Sequence, residues 1–211
     1  LVPEIAGDGR EALTFRNIMA MESGLKQSRE MDAAEARLGI SQLEIVRQRE
    51  VDRAPYTHYM YNNAAYRLLF TALEQATGKD LPTYTREDLF AALGMTGACW
   101  AQWRDGDDVM GYQSMRMRPR DLAKVGLVML NRGVWNGERY LPEAFVNAMT
   151  TAPAPEVNPS YGLFWHLNAG PFYLSYYESD RIDGRLLPGT PPDAFCNYGH
   201  NGTVPWRNCR R

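Results

Sequence analysis

The chain has 211 residues, 45% of them hydrophobic and 23% charged, with a formal net charge of −2. This length suits one large domain or two small ones and is enough to bury a hydrophobic core. The small net charge gives no reason to expect nucleic acid or an anionic membrane as a partner, and no apolar run approaches the roughly 20 residues of a membrane span.

The first part of the chain, residues 1–150, is predicted to be mainly helical, because apolar residues recur there at helical spacing between capping and breaking signals. The first predicted helix is capped by Thr14, carries Phe15, Ile18 and Met19 and ends at Ser23-Gly24, and the second is charged and runs from the capping box Ser41-Gln42-Leu43-Glu44 to about Glu50.

The third predicted helix starts at Ala64, has Tyr66, Leu69, Phe70 and Leu73 on one face and is ended by Gly78, and the fourth runs from Pro82 to Leu93 with Gly94 after it.

The fifth predicted helix starts at Pro119, has Leu122, Val125, Gly126 and Met129 on one face and is ended by Gly133; after a tight turn at Asn136-Gly137, Pro142 opens a short sixth helix.

The last part, residues 151–211, is predicted to be mainly strands. Tyr161, Leu163, Trp165 and Leu167 alternate with other residues, which is the period of a strand. Two more strands are predicted over Phe172 to Tyr177 and over Phe195 to Tyr198, with a polar loop from Asp180 to Pro192 between them. The layout is α+β, in a single domain over residues 1–211.

The cysteine and histidine residues form no recognisable pattern. The three cysteines include no Cys-x-x-Cys pair, and an odd, sparse set argues against a disulfide framework. The three histidines are too far apart in sequence for a metal-ligand motif. We therefore predict no metal site.

Tyr61-Asn62-Asn63 stands directly before a predicted amphipathic helix. A phenol and an amide two residues apart at a helix entrance can point into one pocket. A phenol has a pKa of about 10, so it needs a neighbouring cation to act as a base at neutral pH. Taken alone, Tyr61 is better explained as a buried aromatic residue and Asn63 as a helix N-cap.

His200-Asn201-Gly202-Thr203 is a second short polar motif, far downstream of the first. An imidazole there can line a pocket, and Gly202 lets a strand pass close to a substrate. The simpler alternative is a polar strand end followed by an ordinary turn. Asn201-Gly202-Thr203 also matches a glycosylation sequon.

Ser23-Gly24-Leu25-Lys26 formally satisfies the pattern Ser-x-x-Lys. A catalytic serine of that kind starts a helix, with its lysine one turn on to take the proton. Here Gly24 is predicted to end a helix instead. We therefore predict that Ser23 is not a nucleophile.

Six stretches, in sequence order, resemble the serine β-lactamase and penicillin-binding-protein family, in particular its class C-like and esterase-like branch. Tyr61-Asn62-Asn63 is similar to the Tyr-x-Asn element of that family, and His200-Asn201-Gly202 to its third motif, which is Lys-Thr-Gly or His-x-Gly. The other matching stretches are Leu13 to Leu25, which ends in Ser-Gly-Leu; Thr77-Gly78-Lys79 with Leu93-Gly94-Met95-Thr96; Arg120-Asp121-Leu122-Ala123-Lys124 with residues 131–137; and Tyr161-Gly162-Leu163-Phe164-Trp165.

The resemblance implies a β-lactamase-like fold, with a helical subdomain packed against an antiparallel sheet. It also implies two-step acyl transfer on an ester, amide or β-lactam, without a cofactor. By the same resemblance, Tyr61 shuttles protons, Asn63 positions the substrate and His200 lines the far wall of the pocket. Asn201, Gly202 and Thr203 would bind a small-molecule or peptide-like substrate, with the Thr203 N–H as one half of an oxyanion hole. A histidine in the third motif leans toward esterases, amide hydrolases or peptidases.

The Ser-x-x-Lys motif of the family is not found in its expected place. We expect residues 1–211 to be part of a longer protein, incomplete at both ends, with the nucleophile upstream of Leu1 and the fragment itself inactive. By resemblance the compartment is periplasmic or secreted, and the residues themselves leave it open.

Two rival interpretations stay open. The first is a non-catalytic, penicillin-binding-like pseudoenzyme that binds a peptide or cell-wall-like ligand in the same cleft. The second is an α+β structural domain whose motifs are coincidental, which would place Tyr61 and His200 on opposite faces of the molecule.

Overall fold

The computed structural model describes residues 6–28, 30–31, 42–100, 115–175 and 180–197. Their helices are α1 (Phe15–Met19), α2 (Gln42–Arg47), α3 (Asn63–Thr77), α4 (Leu81–Tyr84), α5 (Pro119–Leu130) and α6 (Glu143–Met149), with a 3-10 turn at Arg10–Ala12 and a π-helical turn at Thr85–Phe90. Their strands are β1 (Cys99–Trp100), β2 (Met115–Arg116), β3 (Val134–Trp135), β4 (Glu138–Arg139), β5 (His166–Leu167), β6 (Phe172–Leu174), β7 (Arg181–Asp183) and β8 (Phe195–Cys196).

The strands of the described residues form antiparallel pairs: β1 with β2, β3 with β4, β5 with β8 and β6 with β7. The chain divides into two compact units. Unit 1 contains Leu1–Ala72 and Asn147–Asn197, and unit 2 contains Leu73–Val146 and Tyr198–Arg211. Each unit has a hydrophobic cluster of its own. The buried members are Leu13, Ile18, Leu25, Ile45, Val46, Ala64, Ala65, Leu68 and Ala72 in unit 1, and Phe90, Leu93, Met95 and Val128 in unit 2.

Helix α1 begins where the sequence predicts and ends earlier. The Thr14 hydroxyl accepts a hydrogen bond from the Asn17 N–H, and the Asn17 side chain accepts one from the Thr14 N–H, so the two residues form a capping box. The helix stops at Met19, and Met21 takes a left-handed conformation with φ of 60°. The predicted stop at Ser23-Gly24 is therefore wrong, because the chain leaves the helix through Met21.

Helix α3 agrees with its predicted bounds, since Gly78 follows it with φ of +67°. Its most buried apolar residues are Ala64, Ala65, Leu68 and Ala72. Of the predicted stripe, Tyr66 and Leu69 pack against the core of unit 1, whereas its last member, Leu73, is exposed. Small alanine side chains let this helix lie close to the core of unit 1, which the apolar period alone does not reveal.

The helices of unit 2 depart from prediction in two places. A single helix over Pro82 to Leu93 was expected, but α4 gives way to a π-helical turn at Thr85. Helix α5 has Pro119 at its first position as predicted. Its buried side includes Asp121, Val128 and Met129, whereas Leu122 is 53% exposed.

The longest predicted strand is instead a tight, buried reversal. Tyr161 bridges to His166, the Gly162 N–H donates to the Trp165 carbonyl at 2.8 Å, and Phe164 has φ of 63°. Only two residues continue as β5, because the chain folds back on itself before a ladder can form. Strand β7 also lies inside the segment predicted as a polar loop.

The remaining expectations have mixed outcomes. Asn136-Gly137 does form the tight turn between β3 and β4, with positive φ at both residues. Ser41 lies outside the described residues, so its capping role stays a prediction. Cys99 is disulfide-bonded and Cys196 is free, so the odd cysteine count does not exclude a single disulfide. None of the helices in the described ranges has the length and apolar character needed to cross a bilayer.

Candidate active site

Tyr61 and Asn63 lie at the entrance of α3. Tyr61 is half-buried and packs against the aromatic and sulfur-containing cluster of Met21, Tyr59 and Tyr161. Asn63 is the first residue of the helix and is 3% exposed. Asn63 therefore lies on the helix, and Tyr61 lies two residues before its first residue.

Asn62, not Asn63, caps α3. Its Oδ1 accepts a hydrogen bond from the Ala65 N–H at 2.9 Å, which satisfies one of the amides left unpaired in the first turn. The interpretation of Asn63 as an N-cap is thus wrong by one position. The capping role therefore belongs to Asn62 and not to Asn63.

Asn62 also joins two of the stretches that the sequence singled out. Its Nδ2 donates to the Leu25 carbonyl at 2.9 Å, and the Met60 N–H donates to the Met21 carbonyl at 2.8 Å. The Ser-Gly-Leu segment is therefore bonded directly to the segment that carries Tyr61.

Glu22, in the same turn, is a buried acid. It is 1% exposed, and neither carboxylate oxygen has a hydrogen-bond partner among the described residues. Burial, with a smaller contribution from the charge of Glu156, raises the pKa of Glu22 to about 8. The carboxyl is therefore mainly protonated at neutral pH. Nothing in the sequence around Glu22 indicated that its carboxyl group is buried and protonated.

An aromatic wall stands beside Tyr61. The rings of Tyr59 and Tyr161 meet edge to face with centroids 5.3 Å apart, and those of Tyr161 and His166 with centroids 5.0 Å apart. Burial lowers the pKa of His166 to about 4, so its imidazole is neutral at physiological pH. This histidine was not among the predicted site residues.

Ser23 and Lys26 do not form a nucleophilic pair. The Ser23 hydroxyl is buried and accepts from the Leu25 N–H at 3.3 Å, within its own turn. The Lys26 ammonium bonds Glu50 at 2.9 Å, and both side chains are exposed. That hydrogen bond raises the pKa of Lys26, which disfavours the neutral amine needed to take a proton. The geometry agrees with the prediction that Ser23 is not the nucleophile.

The second predicted motif is not covered by the structure. His200, Asn201, Gly202 and Thr203 lie outside the described residues, so their approach to Tyr61 stays a prediction. Within the described ranges, no group of three or more His, Cys, Asp or Glu side chains is arranged to hold a metal ion.

A family model described as Beta-lactamase matches residues 1–208, nearly the whole chain. The chain belongs to the β-lactamase family. This assignment confirms the resemblance on which the sequence interpretation depends, and it places the chain in a family of hydrolases. No curated protein matches the sequence.

Solved structures agree with the β-lactamase assignment at the level of fold. A Bacteroides dorei protein assigned as a β-lactamase superposes with a TM-score of 0.64 at 17% identity, over 78% of this chain and 55% of that one. A D-stereospecific amidohydrolase from Streptomyces gives 0.59 at 20% identity, over 86% and 63%. A penicillin-binding protein homologue from Caulobacter crescentus gives 0.56 at 14% identity, over 80% and 60%. The predicted β-lactamase-like α+β fold is thus confirmed, and the chain spans a little over half the length of these structures.

Proposed function

We propose that the protein containing this β-lactamase-family chain is a serine hydrolase that forms and hydrolyses an acyl-enzyme. Its substrate would be a small-molecule or peptide-like ester, amide or β-lactam. The observation that carries the proposal is the entrance of α3, where Tyr61 and Asn63 lie two residues apart in the chain and Asn62 takes the role of helix cap.

The proposed reaction has two halves. A serine hydroxyl attacks the substrate carbonyl, its proton passes to a lysine–tyrosine pair that includes Tyr61, and the leaving group takes a proton as the tetrahedral intermediate collapses. Water then attacks the acyl-enzyme, and its proton follows the same route while the serine leaves. The ammonium of that lysine would stabilise the Tyr61 phenolate, which would suit Tyr61 to this shuttle.

The remaining roles concern binding. The Asn63 amide would donate a hydrogen bond to a carbonyl of the substrate, and His200 would form the opposite wall of the pocket. Asn201, Gly202 and Thr203 would line the acyl site, with the Thr203 N–H and the N–H of the serine as the oxyanion hole. The serine belongs to a Ser-x-x-Lys outside residues 1–211, since Ser23 and Lys26 are bonded elsewhere. The same assignment implies that residues 1–211 alone are inactive.

Covalent labelling of the full-length natural protein tests the proposal. A fluorophosphonate and a fluorescent penicillin are incubated with the protein, and the modified residue is located by mass spectrometry. We expect a tag on a serine of a Ser-x-x-Lys motif, a large loss of labelling in Tyr61→Phe, and no loss in Ser23→Ala. A tag on Ser23 would contradict the assignment.

A non-catalytic pseudoenzyme is the second candidate. It is favoured by the single Ser-x-x-Lys of residues 1–211, whose serine is buried and whose lysine is paired with Glu50. Reversible binding of the penicillin without any covalent tag would select this candidate. If the protein shows neither reversible binding nor labelling, only the interpretation as a structural domain is left.

A further inference from the structure

The turn after α1 and the segment before α3 are joined by hydrogen bonds that the proposed reaction does not use. The carbonyl of Met21 accepts from the Met60 N–H at 2.8 Å, and that of Glu22 accepts from the Tyr56 N–H at 3.0 Å. The carbonyl of Leu25 accepts from the Asn62 side chain at 2.9 Å. Of these three bonds, only the last depends on the identity of a side chain.

The Asn62 amide makes two bonds of different kinds, and it is 1% exposed. Its oxygen accepts from Ala65 as a helix cap, which Ser or Asp can also do. Its nitrogen donates to Leu25, which Asp cannot do because an ionised carboxylate has no donor. The second bond is therefore the reason why this position specifically suits asparagine.

We propose that Asn62 is a positioning residue that fixes Tyr61 and Asn63 against the turn from Met21 to Leu25. This inference rests on the proposed function, because the roles of Tyr61 and Asn63 come from it. Asn62 lies between these two residues and acts through them, without touching substrate. Because a misplacement of about 1 Å in an active site can cost on the order of 100-fold in rate, one lost hydrogen bond at this point affects catalysis out of proportion to its effect on folding.

Two substitutions separate the donor from the cap. Asn62→Asp keeps a capping oxygen and has no donor for the Leu25 carbonyl. Asn62→Ser keeps a capping oxygen and replaces the Nδ2 that reaches Leu25 by a hydroxyl one bond closer to the backbone. The serine variant adds no charge, and the aspartate variant adds one that a helix N-terminus tolerates. Asp80→Ala is the matched control, because it removes an ordinary cap, the Asp80 bond to the Thr83 N–H at 2.8 Å, in unit 2.

The readout is the rate of covalent labelling of the full-length protein by a fluorophosphonate, measured as a function of probe concentration. Both Asn62 variants should lower the maximal labelling rate by about 10- to 100-fold, with the half-saturating concentration changed less than about twofold. Asp80→Ala should label at the wild-type rate. An Asn62→Ser variant that also labels at the wild-type rate, while Tyr61→Phe is slow, would overturn the inference alone.

A second measurement keeps the inference testable if the proposed function fails. Should the wild type not be labelled, or should Tyr61→Phe label normally, the proposed function is wrong. Hydrogen exchange at the Met60 amide then decides whether the connection itself exists. Asn62→Ser should speed exchange there at least tenfold relative to wild type and Asp80→Ala, and unchanged exchange would overturn the connection.

Discussion

Replacing Glu22 by Gln should stabilise the protein at neutral and alkaline pH. The carboxyl is 1% exposed without a hydrogen-bond partner in the described residues, and its pKa is raised from 4.5 to about 8. A raised pKa in the folded state means that the folded protein holds this proton more tightly than the unfolded chain. Stability is therefore highest below the unfolded pKa and falls as the pH rises toward 8.

The size of the effect follows from the two pKa values. Because Glu22 ionises at a lower pH in the unfolded chain than in the folded state, the free energy of unfolding is lowered by at most about 1 kcal/mol at pH 5, about 3 kcal/mol at pH 7 and about 5 kcal/mol at pH 9, relative to strongly acidic pH. Glutamine has nearly the same shape and no proton to lose. Relative to Glu22→Gln, the wild type should lose about 4 kcal/mol between pH 5 and pH 9.

Urea unfolding of the full-length protein at these pH values measures the difference, with both variants followed by tryptophan fluorescence. Glu156→Gln is the matched control, since the charge of Glu156 contributes less to the pKa of Glu22 than burial does. It should recover only a small part of the effect. Parallel pH profiles for wild type and Glu22→Gln would refute the reasoning, because they would show that the folded protein accommodates the ionised carboxylate.

Three further outcomes are expected. Asn168→Ala should lower the free energy of unfolding by about 2–4 kcal/mol and speed proteolysis at residues 187–194, because one buried amide satisfies several main-chain groups there. Proteolysis of the variant at the wild-type rate would contradict this expectation. Gly24→Ala should be more destabilising than Gly78→Ala, which costs about 1 kcal/mol, because only the Gly24 Cβ would meet a backbone oxygen, at 2.0 Å; equal melting temperatures would contradict the close approach. Lys26→Ala should leave the melting temperature essentially unchanged, since its ion pair is exposed. A clear drop in melting temperature would show that the pair is screened from water.

The helices were predictable to the extent that their signals are local. Thr14 begins α1, Pro119 begins α5 and Gly78 follows α3 because each residue satisfies or terminates its own turn. The buried faces were harder to predict. Helix α3 buries alanines, and α5 buries Asp121, which pairs with Lys124 at 3.1 Å. Which residues of these helices are buried cannot be predicted without the elements that pack against them.

The strands were harder to predict because their partners are distant in sequence. The alternating pattern from Tyr161 to Leu167 is compatible with one long strand, yet the chain reverses at Phe164. A period of two cannot distinguish a strand with one buried face from a reversal that is buried throughout. Strand β7 was missed because it is short and exposed, and a single isoleucine between two charged residues gives no alternating apolar pattern.

The candidate site was predictable in its parts and not in its connections. The resemblance led to Tyr61 and Asn63, and the structure places both at the entrance of α3. The capping role fell to Asn62, which cannot be chosen over its neighbour when two asparagines stand side by side. The bond from Asn62 to Leu25 joins residues 37 positions apart, a distance at which a single sequence carries no signal. The part played by His200 stays a prediction.

One amide side chain, that of Asn168, determines the path of the loop after β7. Its nitrogen lies within hydrogen-bond distance of the carbonyls of Leu187, Thr190 and Pro191 and of the Thr190 hydroxyl, and its oxygen accepts from the Leu187 N–H. Apart from that hydroxyl, the partners are main-chain atoms, which every residue except proline supplies in full. The loop can therefore exchange side chains other than that of Thr190 while it keeps its shape, provided that position 168 stays asparagine.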